Sequence, residues 1–177
     1  MATTVSPKGS DKKQRLCIMI KTIVSWMDKI TPAPQVHAHC DGPCGIYDPA
    51  QARVTAEAAV SMTKKILELE SPKGDCGSPE SIAHCNTFTR FVKIKEEQAH
   101  ETKQHLLVLW TDYFKPEHLK KYPNLHETFW KAAKLCSAVK VEVNLEKANE
   151  LLKTIEEIHQ IFWATKERDV DFVKAAG

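Results

Sequence analysis

The chain has 177 residues, with 25 Lys/Arg against 23 Asp/Glu and a formal net charge of +2. That length suits one domain with a real core, and the near balance of charge leaves no clustered basic face of the kind a nucleic-acid backbone requires. Six of the 25 Lys/Arg and two of the 23 Asp/Glu fall in residues 1–38, leaving 19 and 21 for residues 39–177, so the mild basicity belongs to the amino-terminal segment.

That segment reads as a leader. Small and polar residues lead into the basic run Lys12-Lys13-Gln14-Arg15, then into a short apolar stretch, Leu16 to Ile20, which Lys21 interrupts. It is too short and too broken to span a bilayer. Ile20, Ile23, Val24, Met27 and Ile30 fall at helical spacing, and Thr31-Pro32-Ala33-Pro34 would end such a helix. Val36-His37-Ala38 has the small residues at alternate positions that a peptidase accepts, so removal of residues 1–38 by a leader peptidase is expected. The expected location is the cytoplasm, with secretion and organelle targeting as alternatives.

Residues 39–44, His-Cys-Asp-Gly-Pro-Cys, place an imidazole and two thiols around a Gly-Pro turn. Such soft sulfur donors beside nitrogen suit a late first-row transition metal. By itself the Cys-x3-Cys spacing is equally compatible with half a zinc site, a small disulfide loop or two free thiols.

Past the hook, four helices are expected. Asp48 followed by Pro49 is a capping residue with Pro at the first helical position, and it opens a helix from about 49 to 70 with Ala52, Ala56, Ala59/Val60, Thr63 and Leu67 on one face. Ser71 to Asn86 reads as a loop, with room for a helical turn after Pro79. A second helix, from about 87 to 114, carries Phe88, Phe91/Val92, Ala99, Leu106, Leu109/Trp110 and Tyr113. Pro116 and Pro123 precede a third, marked by Leu125, Phe129, Ala132/Ala133, Cys136 and Val139. The fourth, from about 144 to 167, shows Leu145, Ala148, Leu151/Leu152, Ile155, Ile158 and Phe162. Each stripe needs a partner surface, and an all-α, antiparallel up-down four-helix bundle over residues 49–168 supplies one for all four. The helices offer no nucleophile triad and no phosphate loop, so chemistry falls to residues 39–47.

The run His-Cys-Asp-Gly-Pro-Cys-Gly-Ile-Tyr-Asp-Pro-Ala-Gln-Ala-Arg at 39–53 resembles the amino-terminal hook of nickel superoxide dismutase. The resemblance continues through Leu109-Trp110-Thr111-Asp112-Tyr113-Phe114-Lys115-Pro116, Lys121-Tyr122-Pro123 and Ile161-Phe162-Trp163. It implies an antioxidant oxidoreductase with one nickel ion per subunit, cycling between nickel(II) and nickel(III) to convert superoxide to dioxygen and hydrogen peroxide. It further implies a homohexamer and a mature protein that begins at His39, with no membrane attachment after processing.

The same resemblance implies that the ligands are the thiolates of Cys40 and Cys44, the backbone nitrogen of Cys40 and the α-amino nitrogen of His39, with the His39 imidazole axial. Tyr47 and Tyr113 would order water or exclude larger anions near the metal, and Asp41 would hold the hook against the bundle. A cis bond at Gly42-Pro43 would suit the turn. Two departures from the family pattern stand out: Thr55 occupies the place of a Glu that partners the axial imidazole in many relatives, with Glu57 two residues further on, and Gln98 replaces an Arg of some relatives. The segment holding Cys76 and Cys85 looks longer than the family norm, and these thiols could be paired, metal-bound or free. His84, His100, His105, His118, His126 and His159 read as solvated or structural. A noncatalytic zinc or copper module using His37, His39, Cys40 and Cys44 is the alternative, and it would need no cleavage.

Overall fold

The computed structural model describes Met19 and residues 45–175. The hook residues His39, Cys40, Asp41 and Cys44, the Gly42-Pro43 bond and the helical pattern of residues 20–30 lie outside the described residues. Helix α1 runs Ala50–Leu67, α2 Pro79–Val108, α3 Pro116–Lys121, α4 Leu125–Val141 and α5 Leu145–Thr165, and a π-helical turn, Leu109–Tyr113, prolongs α2. There is no strand among the described residues.

The four long helices close a ring. α1 packs along α2, α2 along α4, α4 along α5, and α5 back along α1. Only residues 142–144 separate α4 from α5, and so short a link makes neighbouring helices antiparallel. The expected up-down bundle is therefore the observed architecture, with the short α3 as an addition that the sequence pattern did not reveal.

The helix ends follow local chemistry. Asp48 Oδ1 accepts the Ala50 amide at 2.8 Å, which satisfies one of the amides left unpaired at the start of α1. Ser78 Oγ accepts the Ser81 amide at 3.2 Å and Pro79 takes the first helical position, so α2 begins eight residues before the expected Thr87. No residue of Pro79–Ile94 is buried, so no apolar stripe announces this portion of the helix, which the sequence pattern presents as loop. Phe88, expected on the core face, is 42% exposed for the same reason. On α1 the stripe turns inward at Ile66, and the expected Leu67 is 56% exposed.

Alanines let α1 approach closely: Ala52, Ala56 and Ala59 are all fully buried. Beside them the hydroxyls of Thr55 and Thr102 meet at 2.8 Å across the α1/α2 seam. From the other side, Leu125, Phe129, Ala132, Cys136 and Val139 of α4 interlock with Leu151, Ile155, Ile158 and Phe162 of α5. Burial pushes the Cys136 thiol up to about 12, so it packs as a small apolar group.

Lys95 is the exception in this core. Its side chain is 1% exposed, and its Nζ donates to the carbonyls of Val139 (2.5 Å), Lys140 (2.8 Å) and Glu142 (3.0 Å) at the end of α4. A cation there completes carbonyls that the last helical turn leaves unpaired and opposes the negative end of the helix dipole. Desolvation by burial holds its pKa below the ordinary lysine value, with Glu96 offsetting part of the effect. Because the folded chain then binds fewer protons than the unfolded chain between that lowered pKa and the ordinary one, stability rises with pH through this window. Lys95→Met is expected to lower unfolding free energy by roughly 2 kcal/mol at neutral pH, since three carbonyls at the end of α4, one of them buried, lose a charged donor. It should also remove the alkaline rise, and urea unfolding at several pH values measures both.

Candidate metal centre

At the end of the bundle where α1 begins, the chain emerges from the hook through Gly45, which has φ +67°. This left-handed conformation suits glycine, and it leads directly to Tyr47 and the cap of α1. Tyr47 lies beside Tyr113, with ring centroids 5.6 Å apart. The structure thus brings together two residues 66 positions apart in the sequence.

The π-helical turn places Tyr113. The Phe114 amide reaches back to the Leu109 carbonyl at 3.2 Å, and the extra residue in the turn re-aims the side chains that follow. Lys115, held extended before Pro116, then diverts the chain into α3. Tyr113 packs on Phe162 of α5 at 4.5 Å, edge-on to Phe114 at 5.0 Å, and stacks with His118 at 5.7 Å. Trp110, one turn earlier, stacks on Phe129 at 5.8 Å and donates its indole N–H to His126 Nδ1 at 2.7 Å.

Gly45, Tyr47, Asp112, Tyr113, Lys115, Glu117 and His118 line a cavity of ≈ 290 Å³ that opens to the surface. Its charged rim mixes signs. A further cation, Lys166 at the end of α5, has its Nζ 5.4 Å from the Tyr113 ring centroid and 4.7 Å from that of Phe162. A larger groove, ≈ 520 Å³, runs beside Lys131, Glu150, Lys153 and Glu157, but it is a charged helix surface with no aromatic wall.

Sequence reasoning singled out Tyr47 and Tyr113 and passed over Asp112, Lys115, His118 and Lys166. For Asp112 and Lys115 the Trp-Thr-Asp-Tyr-Phe-Lys-Pro run could have drawn attention. His118 carries no such signal, because its place depends on the unforeseen helix α3, where its Nδ1 accepts the Lys115 amide at 3.1 Å.

The two departures on α1 and α2 are visible. Thr55 is buried and joined to Thr102, a neutral contact. Gln98 turns to Glu101, its Nε2 donating at 3.0 Å. Glu57 is buried: it accepts from Arg53 Nη1 at 2.7 Å and, through its other oxygen, from the Ala175 amide at 2.7 Å. The carboxyl-terminal residues therefore return to α1, held on the way by His159 Nε2 against the Val170 carbonyl at 2.8 Å.

No group of three or more His, Cys, Asp or Glu able to hold a metal occurs among the described residues. The donors proposed for a metal are those of residues 39–44, adjacent in sequence to this cavity. Two thiols, an imidazole and backbone nitrogen make a set suited to nickel, copper or zinc rather than to a hard cation.

Fold and site together define a helical bundle with an aromatic cavity where the hook joins it. The family model for nickel-containing superoxide dismutase matches residues 34–166. The superoxide dismutase [Ni] of Streptomyces coelicolor is 40% identical over 136 residues, covering 77% of this chain and 94% of that protein, and the Streptomyces seoulensis enzyme is 39% identical over the same length. A native nickel superoxide dismutase structure superposes with a TM-score of 0.60 at 40% identity, covering 72% of this chain and 99% of that one. A structure with nickel ligation corresponding to the oxidised state gives 0.61 at 39% identity, covering 73% and 100%. The chain belongs to the nickel-containing superoxide dismutase family.

Cys76 and Cys85, whose state the sequence left open, are free and exposed, whereas Cys136 is free and buried. Alkylation of the folded protein should modify Cys76 and Cys85 within minutes and leave Cys136 unmodified until denaturant is added, a difference that peptide mass mapping resolves.

Proposed function

We propose that residues 39–47 form the reaction centre of this nickel-dependent superoxide dismutase, with nickel held by the Cys40 and Cys44 thiolates, the Cys40 backbone nitrogen and the α-amino and imidazole nitrogens of His39. Family membership makes the reaction the conversion of superoxide to dioxygen and hydrogen peroxide. The ligand assignment is supported most by one observation: the matched region, residues 34–166, contains the whole hook and continues into a bundle end where Tyr47 and Tyr113 stand side by side.

The donor chemistry fits the metal. Anionic sulfur and strong nitrogen donors stabilise a higher oxidation state that hydrated nickel does not reach, and bound nickel there supplies one-electron exchange with superoxide in both directions. Around it, Tyr47 and Tyr113 narrow the cavity against anions larger than superoxide and order water within it. Lys115 on the rim and Lys166 against the Tyr113 ring offset the negative charge of Asp112 and Glu117, so that the rim does not turn an anion away. Asp41 anchors the hook to the bundle. With Thr55 in a neutral bond, the partner of the His39 imidazole is not a carboxylate at position 55.

The proposal extends to processing and assembly. Residues 1–38 are a leader removed by a peptidase, since a peptide-bonded His39 has no α-amino group to offer, and the mature chains form a homohexamer with one nickel per subunit in the cytoplasm. No described helix is long and apolar enough to cross a membrane. A noncatalytic zinc or copper site is not favoured, because relatives at about 40% identity are named as nickel superoxide dismutases.

Cys40→Ser and Cys44→Ser are expected to abolish nickel binding and turnover while circular dichroism keeps its full helical signal, because both thiols precede in sequence the helices that build the bundle, the first of which begins at Ala50. His39→Ala, once processed, should keep nickel(II) and lose most turnover. Substantial superoxide turnover in either serine variant contradicts the ligand set.

A further inference from the structure

Beside the cavity, Tyr113 Oη and Thr165 Oγ1 are 2.6 Å apart, and Thr165 Oγ1 also lies 2.6 Å from the Phe162 carbonyl oxygen. A threonine hydroxyl has one proton and a carbonyl has none. The Phe162 carbonyl needs that proton: the amide four residues on, at Lys166, bonds the Trp163 carbonyl at 3.0 Å instead. This is the usual deficit of a helix carboxyl terminus. With Thr165 donating to Phe162, the contact between Thr165 and Tyr113 closes only if the phenol donates. The phenol is also the more acidic hydroxyl, which favours the same direction.

From this geometry we infer that Thr165 is a positioning residue that holds the Tyr113 proton away from the cavity, so that Tyr113 presents oxygen lone pairs there and acts as a hydrogen-bond acceptor. Tyr47 and Tyr113 then differ in kind although they touch. An acceptor oxygen offers a lingering anion no proton and receives the O–H of neutral hydrogen peroxide, so Tyr113 gives small inhibitory anions no hydrogen bond and favours the protonated product. The role in selection rests on the reading of this cavity as the nickel site. The direction of the hydrogen bond does not.

Two measurements separate these parts. In ultraviolet resonance Raman spectra, the tyrosine Fermi-doublet ratio isolated as wild type minus Tyr113→Phe should report a strong donor, and Thr165→Val should shift Tyr113 away from it while Thr165→Ser restores the wild-type ratio. A Tyr113 that is an acceptor from Thr165, or is unchanged in Thr165→Val, overturns the inference. Azide affinity of the processed, nickel-loaded protein is the second readout.

Thr165→Val frees the phenol proton and should tighten azide binding roughly tenfold, the effect of one hydrogen bond to a charged group. Tyr113→Phe alone should change it little, and Tyr113→Phe added to Thr165→Val should remove the gain. Tightening that survives without the Tyr113 hydroxyl contradicts the inference. A Raman shift as expected with azide affinity unmoved overturns the role in anion selection and places the failure in the assignment of the cavity, not in the direction of the bond.

Discussion

The contact of Tyr113 with Phe162 is the junction on which the chemical end of this protein depends. It joins the π-helical turn to α5, and the same phenol ring touches Tyr47, Phe114 and His118. Remove that ring and Tyr47 loses its ring partner, α3 loses its stacking partner, and the end of α5 loses the group bonded to Thr165. Aromatic pairs of this kind add about 0.5–1.5 kcal/mol each beyond the area they bury, so several around one side chain make a stiff platform.

The rest of the molecule supports that platform and takes no chemical part. Close alanine packing joins α1 to α2, and a buried lysine secures the far end of α4. The core thiol of Cys136 is held protonated by burial, which keeps it apart from the thiol chemistry assigned to the hook. Such a division lets an exposed, metal-dependent segment be altered without unfolding the scaffold, since the scaffold's stability comes from helix packing.

How much of this was readable from the sequence varies with the physics of each element. Asp48-Pro49 announced the start of α1 because capping is local, and the stripes of α4 and α5 were clear because both helices are buried along a whole face. The first eight residues of α2 promise no more than a helical turn in the sequence, because none of them is buried. Lys95 carries no signal in the sequence, since its acceptors lie more than 40 residues away. The π-helical turn and α3 likewise follow from tertiary packing around Tyr113 rather than from spacing. Of the site, Tyr47 and Tyr113 were found through family motifs, while Thr165 gave no signal, because its importance is a hydrogen-bond direction set by three residues on two elements.

The α-amino nitrogen of His39, proposed as a nickel ligand, exists only after the bond between Ala38 and His39 is cut. Nickel content and superoxide turnover of uncut and cut protein, loaded identically, therefore decide the ligand set. An inactive uncut chain and full activity after cleavage at Ala38 are expected. Equal activity in the two would contradict that ligand set, showing that the amine is not a ligand and that side chains alone hold the metal.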